Sequence, residues 1–183
     1  MNYLIGKLIF WSNKILKRHP YFHSKVIAKY ESRKCGGLGV FILRGKSVEL
    51  GLLPSAEFHL IDVGFELVDS RILNDNEINL MSKKTRGSDW GDELPAAIIV
   101  VFDRYPKRLT GASVSKNPDM DNNRLLEKHK IRKLLNSKLD SFLQTNVMHS
   151  TDNSYQAWKY ISLISNSYKK YIYIILRKRF AIR

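Results

Sequence analysis

His149 is the residue whose type and position best suit covalent chemistry. It lies in the segment Asn146–Asn153 (NVMHSTDN), at the end of a short apolar run and directly before an amphipathic helical pattern. A neutral imidazole there can act as a nucleophile toward a phosphoryl group if basic side chains stabilise the phosphate oxygens. The candidate cations are Arg44, Arg124, Arg132 and Lys116. Whether they converge on His149 decides between a phosphotransfer enzyme and a basic scaffold.

No metal-binding pattern accompanies this histidine. His149 and Asp152 have no third ligand nearby in the sequence, and the single cysteine, Cys35, forms neither an internal disulfide nor a CxxC zinc pair. One cysteine fits a reducing compartment. Lys7 and Lys14 interrupt the N-terminal apolar stretch, so it does not resemble a signal peptide. No stretch reaches the ~18 apolar residues of a membrane span. We therefore expect a cytoplasmic protein. Peripheral attachment to a membrane surface is compatible with this location.

Positive charge is concentrated at the two ends of the chain. The formal net charge of the 183 residues is +14, of which residues 1–34 carry +7 and residues 164–183 carry +6. The residues between them are nearly neutral. This distribution predicts a basic amphipathic extension over 1–34, a central domain over 35–166 and a basic, apolar tail over 167–183, and we expect both extensions to be helical. We expect the ends to meet a partner and the central domain to hold the chemistry.

The two ends allow three interpretations. Residues 3–18 place apolar residues at helical spacing with basic residues between them, and Tyr171–Leu176 is an apolar run between two basic clusters. The ends can pack on each other or on the core, or form a subunit contact, and we rank this first. Binding to an anionic membrane surface ranks second. Nucleic acid ranks third, because no base-reading motif is present.

Hydrophobic periodicity predicts alternating strands and helices in the central domain. Asn74 and Glu77 form a capping-box pattern, and Asp152 is placed to cap the last core helix. The predicted elements are a strand at Leu38–Leu43, a helix at 55–63 with Gly64 as its C-terminal cap, a strand at Phe65–Leu73, a helix at 75–84, a strand at Ala96–Phe102, a loop at 104–120, a helix at 122–143 with a break near Asn136-Ser137, a strand at Thr145–His149 and a helix at 153–165. This order fits either a parallel α/β sheet or a ferredoxin-like split β-α-β sheet, and spacing alone does not choose.

The chain from about residue 38 to residue 163 resembles nucleoside diphosphate kinase in four stretches. Val40–Lys46 (VFILRGK) resembles the family's first strand and phosphate-binding lysine, and Asp62–Leu73 (DVGFELVDSRIL) resembles its helix, Gly-Phe junction and second strand. Asn117-Pro118 resembles its Asn-Pro loop, and Asn146–Asp152 resembles its Asn-x-x-His-Gly-Ser-Asp active-site signature. The resemblance implies a ferredoxin-like α+β fold with an antiparallel sheet.

The resemblance also implies a reaction. In that family a histidine is transiently phosphorylated, and the γ-phosphoryl group of ATP passes through it to a nucleoside diphosphate, with Mg²⁺ on the nucleotide. His149 falls on this nucleophile, and Asn146 on the asparagine that contacts the nucleotide sugar. Arg44 replaces the phosphate-binding lysine, which keeps the charge and adds a bidentate fork.

Further positions carry over as phosphate or base contacts. Arg132 best matches a phosphate-binding arginine, with Arg124 as its rival. Lys116 stands where the family has a phosphate-contacting threonine, and Trp90 falls close to the aromatic residue that stacks on the base. The resemblance thus implies a cationic nucleotide site built around His149.

Several positions depart from the family pattern. Ser82 stands at the active-site tyrosine, and Ser150 and Thr151 stand at the glycine and serine after the histidine. Tyr160 replaces the glutamate that orients the imidazole, and it carries no charge at neutral pH. It therefore defines the ring tautomer less firmly than a carboxylate, and Asp152 is the other candidate orienting group. These changes affect turnover more than nucleotide binding.

The resulting prediction is a nucleoside diphosphate kinase-like phosphotransferase that binds nucleoside di- and triphosphates. Relatives are commonly hexamers or tetramers, so a homo-oligomer is among the expected partners. The alternative is a nucleotide-binding module with weakened catalysis, serving a membrane-peripheral pathway such as surface-polysaccharide assembly. A third hypothesis is a basic scaffold with no nucleotide role. Specific nucleic-acid binding is not expected.

Overall fold

Four strands form one antiparallel sheet. The computed structural model describes residues 37–85, 93–141 and 146–180. The strands are β1 (Leu38–Arg44), β2 (Glu66–Ile72), β3 (Pro95–Phe102) and β4 (Met148–Ser150). They are arranged in the order β2-β3-β1-β4, and each neighbouring pair is antiparallel. β1 and β2 therefore run in the same direction with β3 between them, which is the split β-α-β arrangement. The predicted ferredoxin-like α+β class is confirmed, and the parallel sheet is excluded.

Helices connect and cover these strands. They are α1 (Gly45–Glu49), α2 (Leu53–Asp62), α3 (Asp75–Lys84), α4 (Ala112–Lys116), a 3₁₀ helix (Asn123–Glu127), α5 (Lys128–Asn136), α6 (Ser154–Ile164) and α7 (Asn166–Phe180). The predicted helix at 122–143 thus begins as a 3₁₀ helix, and its α-helical part ends at the expected break. The predicted loop at 104–120 contains α4. The N-terminal extension, Trp90 and Thr145 lie outside the described residues.

The helix ends follow local side-chain chemistry. The Asn74 side chain accepts a hydrogen bond from the Glu77 backbone amide, and the Glu77 carboxylate accepts one from the Asn74 amide, so the predicted capping box is present. Gly64 follows α2 with a φ of 94°, a conformation that favours glycine. The prediction for α6 was wrong by one position, because Asn153 is its N-cap and accepts from the Gln156 amide at 2.8 Å.

The sheet separates two apolar layers. Alternate residues of a strand point to opposite faces. Val40 and Ile42 of β1 therefore pack on one side, together with Trp158 of α6. Phe41 and Leu43 pack on the other side. That second layer is closed by residues of α2 and α5, among them Leu60, Ile131 and Leu135. The central strands are buried on both faces, which explains their continuous apolar sequences.

The C-terminal helix α7 packs on the sheet. Ile172 and Leu176 are fully buried on the α6 side of the sheet. The Tyr168 hydroxyl donates to Asp69 Oδ2 of β2 at 2.6 Å, and the ring of Phe180 lies 4.4 Å from that of Phe102. Ile172 and Leu176 of the apolar run therefore join the core, whereas Tyr171, Tyr173 and Ile174 of the same run are exposed. None of the helices in the described ranges combines the length and the hydropathy that crossing a membrane requires.

Candidate functional site

The segment that carries His149 is fixed to β1 on both sides of the histidine. Before it, the carbonyl oxygen of Val147 accepts from the Arg44 amide at 3.3 Å and from the Ser47 hydroxyl at 2.8 Å. After it, the Thr151 amide donates to the Val40 carbonyl oxygen at 2.9 Å. β4 is an edge strand, so the rigid segment presents His149 at the border of the sheet.

The imidazole of His149 lies on the α6 side of that border. His149 pairs with Ile42 across the β1–β4 ladder, and directly opposed residues share a face of the sheet. Its ring centroid is 6.4 Å from that of Tyr160 in α6, and the two rings are tilted by 34°. Tyr160 itself is almost fully buried. The histidine as a whole is partly buried, and its Nε2 atom is enclosed by the protein.

Two cations of α5 reach this edge from the other layer. Lys128 and Arg132 are four residues apart and therefore lie on the same face of the helix. Arg132 Nε donates to the carbonyl oxygen of Met148, the residue before the histidine, at 2.8 Å. Lys128 Nζ lies 3.7 Å from Asp152 Oδ1, and the lysine is only 9% exposed. The backbone carbonyl and the carboxylate hold the two basic side chains against the segment that carries His149.

Burial and these cations keep the imidazole neutral. The pKa of His149 is lowered to about 4, chiefly because burial penalises the charged ring, and then by Lys128, Arg132 and Arg44, while Asp152 opposes the shift. Burial also lowers the pKa of Lys128, with Asp152 opposing and Arg132 adding to the effect. Burial and Arg44 lower the pKa of Arg132. His149 is thus unprotonated at neutral pH, the form that an attacking imidazole requires.

The same burial makes the stability of the protein depend on pH. The pKa of His149 is about 4 in the folded protein, against 6.5 for an ordinary histidine, so the unfolded chain binds more protons between these values. We expect the free energy of unfolding to decrease as the pH falls from about 6.5 toward 4, by up to ~3 kcal/mol. Urea unfolding of the wild type and of His149→Gln across this range isolates the contribution. Equal pH dependence in both proteins would contradict it.

The structure brings together five of the residues predicted for the site. They are His149, Arg44, Arg132, Asp152 and Tyr160. Lys128 was not among the residues predicted for the site. A signal was available in its spacing of four from Arg132, which places both side chains on one face of α5.

Arg124 belongs to a different part of the molecule. Its Nη1 atom donates to Asp103 Oδ1 at 2.7 Å and to the Gly64 carbonyl oxygen at 2.5 Å. These partners follow β3 and precede β2, at the end of the sheet where Leu38 pairs with Phe102. That position is four residues along β1 from the partner of His149, or roughly 13 Å. Arg124 also lines a separate cleft of about 340 Å³.

Lys116 lines a cleft next to the site, whereas Asn146 lies exposed on the surface. Lys116 ends α4 and lines a cleft of about 220 Å³ together with the predicted Asn117-Pro118 loop and Asp152. Because Asp152 also faces Lys128, this cleft adjoins the cations beside His149. Its volume suits one part of a nucleotide rather than a whole one. Asn146 is exposed at the start of the segment.

The positions that depart from the family pattern also have defined surroundings. Ser82, at the position of the tyrosine, donates from its hydroxyl to the Asn79 carbonyl oxygen at 3.0 Å within α3. Ser150 and Thr151 are fully buried beside β1, where the Thr151 hydroxyl accepts from the Val40 amide at 3.0 Å. In the part of the chain that the structure describes, no group of three His, Cys, Asp or Glu side chains is arranged to hold a metal ion.

The comparisons with known proteins give limited information. No protein-family model matches the chain, and no curated protein is similar to it in sequence. Among solved structures, the chain is similar to the nucleoside diphosphate kinase of Aquifex aeolicus, with a TM-score of 0.42 and 12% identity over 72% of this chain and 96% of that one. A likeness at this level identifies neither a family nor an activity, so any function must be argued from the side chains at the site.

Proposed function

We propose that this protein is a nucleoside diphosphate kinase-like phosphotransferase in which His149 accepts the γ-phosphoryl group of a nucleoside triphosphate. The observation that carries the proposal is the position of His149 at a sheet edge, in a segment to which Arg132 is bound through the Met148 carbonyl oxygen and Lys128 through the Asp152 carboxylate. Arg44 lowers the pKa of Arg132, and Arg132 lowers that of Lys128, so these basic side chains repel one another and Asp152 offsets this only in part. Anionic phosphate oxygens at this position would relieve that repulsion.

In the first half of the reaction, a ring nitrogen of His149 attacks the γ-phosphorus. A nitrogen–phosphorus bond forms, and the bond from phosphorus to the bridging oxygen breaks, so the nucleoside diphosphate leaves with the electron pair. In the second half, a terminal phosphate oxygen of another nucleoside diphosphate attacks the same phosphorus, and the imidazole leaves as a neutral ring. The low pKa of His149 favours this departure, because a weakly basic ring is a good leaving group.

The basic side chains stabilise the charge that is shared among the transferring oxygens. Phosphoryl transfer depends mainly on positioning and on electrostatic stabilisation. Arg132 is pre-oriented by its hydrogen bond to the Met148 carbonyl oxygen, and Lys128 by the Asp152 carboxylate. Because these partners are already in place before a nucleotide binds, little reorganisation is needed at the moment of transfer. Arg44 supplies the third positive charge.

Mg²⁺ enters the proposal on the nucleotide. The carboxylate at the site, Asp152, already faces Lys128 Nζ at 3.7 Å, and three metal-ligating side chains do not meet anywhere in the described ranges. A protein-held ion does not fit this donor set. The phosphate oxygens of the bound nucleotide are then the ligands, and no step above depends on a protein ligand to the metal.

The second candidate function is a nucleotide-binding module with weak catalysis, placed in a membrane-peripheral pathway. It is favoured by Tyr160, which faces the imidazole with a neutral phenol where a carboxylate would orient the ring and stabilise its positive charge. A phenol defines the ring tautomer less firmly than a carboxylate does. Phosphate binding by Arg44, Lys128 and Arg132 does not depend on a carboxylate beside the imidazole. Nucleotide affinity is therefore retained even where phosphoryl transfer is slow.

Incubation of the purified protein with γ-labelled ATP distinguishes these functions. The phosphotransferase should acquire a label that acid removes and base does not, and addition of an unlabelled nucleoside diphosphate should move the label into a nucleoside triphosphate. Nucleotide binding by calorimetry without any label would support the module. If the protein neither acquires a label nor binds nucleotide, both proposals are overturned and only the basic scaffold remains.

A further inference from the structure

The exposed side of α7 combines positive charge with aromatic and aliphatic side chains. We call the following residues the α7 outer face: Lys170, Tyr171, Tyr173, Ile174, Arg177 and Lys178. Tyr171, Tyr173 and Ile174 are 49%, 41% and 40% exposed, although each is large and mostly apolar. Residues 164–183 contain no aspartate or glutamate. This surface therefore differs from an ordinary solvated helix face, which carries charges of both signs.

The inner side of α7 holds the helix in place, so the outer face cannot turn inward. Ile172 and Leu176 are fully buried. The Arg179 guanidinium donates to the Leu67 carbonyl oxygen of β2 at 2.8 Å, and the Phe180 ring stacks near that of Phe102. Contacts along the whole length of the helix thus fix its rotation. Any partner must bind the outer face as the folded protein presents it.

The arrangement around the helix axis suits a flat surface. At 3.6 residues per turn, Lys170 and Ile174 lie near the centre of the outer face, with Arg177 beside them. Tyr171 and Tyr173 lie on opposite flanks of this centre. On a lipid surface the basic side chains at the centre of this face reach the headgroup phosphates, and the tyrosines on its flanks lie at headgroup level, so the contact is peripheral and depends mainly on charge.

We propose that the α7 outer face binds an anionic phospholipid surface, an interaction that is independent of the proposed catalytic function. The charge of the face requires an anionic partner, and residues 1–34, with a net charge of +7, cannot complement it. A single nucleic-acid strand would need its aromatic platforms side by side for successive bases to stack. The two tyrosines lie on opposite flanks instead. Phospholipid headgroups satisfy both the charge and the exposed apolar groups.

Vesicle co-sedimentation of the full chain tests this proposal. The wild type should bind vesicles of mixed phosphatidylcholine and phosphatidylserine and should not bind phosphatidylcholine alone. In the variant Lys170→Gln/Arg177→Gln/Lys178→Gln we expect the affinity to fall roughly fivefold per charge, or on the order of a hundredfold in total. These side chains are exposed, so circular dichroism and the melting temperature should remain those of the wild type.

A matched variant removes the same charge from the opposite layer of the fold. Lys107→Gln/Lys130→Gln/Lys133→Gln alters exposed residues of the 104–120 loop and of α5, and it should retain binding within a few-fold of the wild type. Equal losses in both variants would show attraction by net charge alone and overturn the proposal. So would undiminished binding in the α7 variant, absence of binding by the wild type, or a α7-dependent affinity for an RNA oligonucleotide that exceeds the affinity for vesicles.

Discussion

Replacement of His149 by alanine is expected to abolish the acid-labile label from γ-labelled ATP and to reduce transfer between nucleotides by roughly 10³-fold or more. The imidazole is the only group in the proposed mechanism that bonds to phosphorus, so its removal leaves no covalent route. The three cations remain, and nucleotide affinity should therefore change by no more than a few-fold. Label incorporation, coupled turnover and calorimetric binding measure the three quantities.

The control for this experiment is His129→Ala. His129 is exposed on α5 next to Lys128, and the pKa of this histidine is lowered by burial and by Lys128, Arg132 and Lys133. It therefore shares the electrostatic surroundings of the site but does not lie on β4. The control variant should label and turn over as the wild type does. A label that persists in His149→Ala, or disappears in His129→Ala, would place the phosphorylated residue elsewhere.

The order of the four strands and of helices α2, α3, α5 and α6 could be predicted from the sequence, but the short helices α1 and α4 and the strand directions could not. Local periodicity determines that Val40–Leu43 forms a strand, because its apolar residues suit a position buried on both faces. Direction depends on pairing with distant residues. Ile42 faces Ile98 on one side and His149 on the other, and hydrogen bonds between such remote positions leave no mark on local spacing. Here the family resemblance, and not the periodicity, selected the antiparallel alternative.

The site could be predicted in part because its central residues lie in short local motifs. His149 and Asp152 belong to one segment, and Arg44 ends the first strand. Lys128 was not identified, because its spacing of four from Arg132 places both on one face of α5 but does not show that the fold buries that lysine. Its 9% exposure results from the packing of α5 against the edge of the sheet. The role of Asp152 was misjudged for a related reason: Asn153 caps α6, while the Asp152 carboxylate faces Lys128.

The two arginines that the sequence treated as rivals occupy different electrostatic environments. Arg132 donates to a backbone carbonyl oxygen rather than to a carboxylate, and burial and the proximity of Arg44 lower its pKa. Arg124 is paired with the buried carboxylate of Asp103. A guanidinium among like charges is ready for an anionic ligand, whereas one already bound to a carboxylate mainly stabilises the fold. This difference favours Arg132 over Arg124 for the proposed phosphate binding, and it gives Arg124 a structural contact with Asp103.

Replacement of Asp103 by alanine is therefore expected to destabilise the protein strongly. The carboxylate is 1% exposed and accepts from Arg124 Nη1 at 2.7 Å, from Asn122 Nδ2 at 2.9 Å and from the Tyr105 amide at 2.9 Å. Its removal leaves three donors, one of them charged, in a largely buried region. We expect a loss of ~3–5 kcal/mol in the free energy of unfolding, measured by urea denaturation. Asp103→Asn, which keeps the shape but loses the charge, should fall between alanine and the wild type.

Glu66→Ala is the matched control, because it breaks another carboxylate–arginine pair at the same end of the sheet. Arg104 Nε lies 2.7 Å from Glu66 Oε1, as close as the pair of Arg124 and Asp103, but the Glu66 side chain is 34% exposed rather than 1%. Water replaces its partner, so the free energy of unfolding should hardly change. If the two alanine variants proved equally stable, burial would not be what distinguishes the pairs. Arg124 would then be as available to a ligand as Arg132.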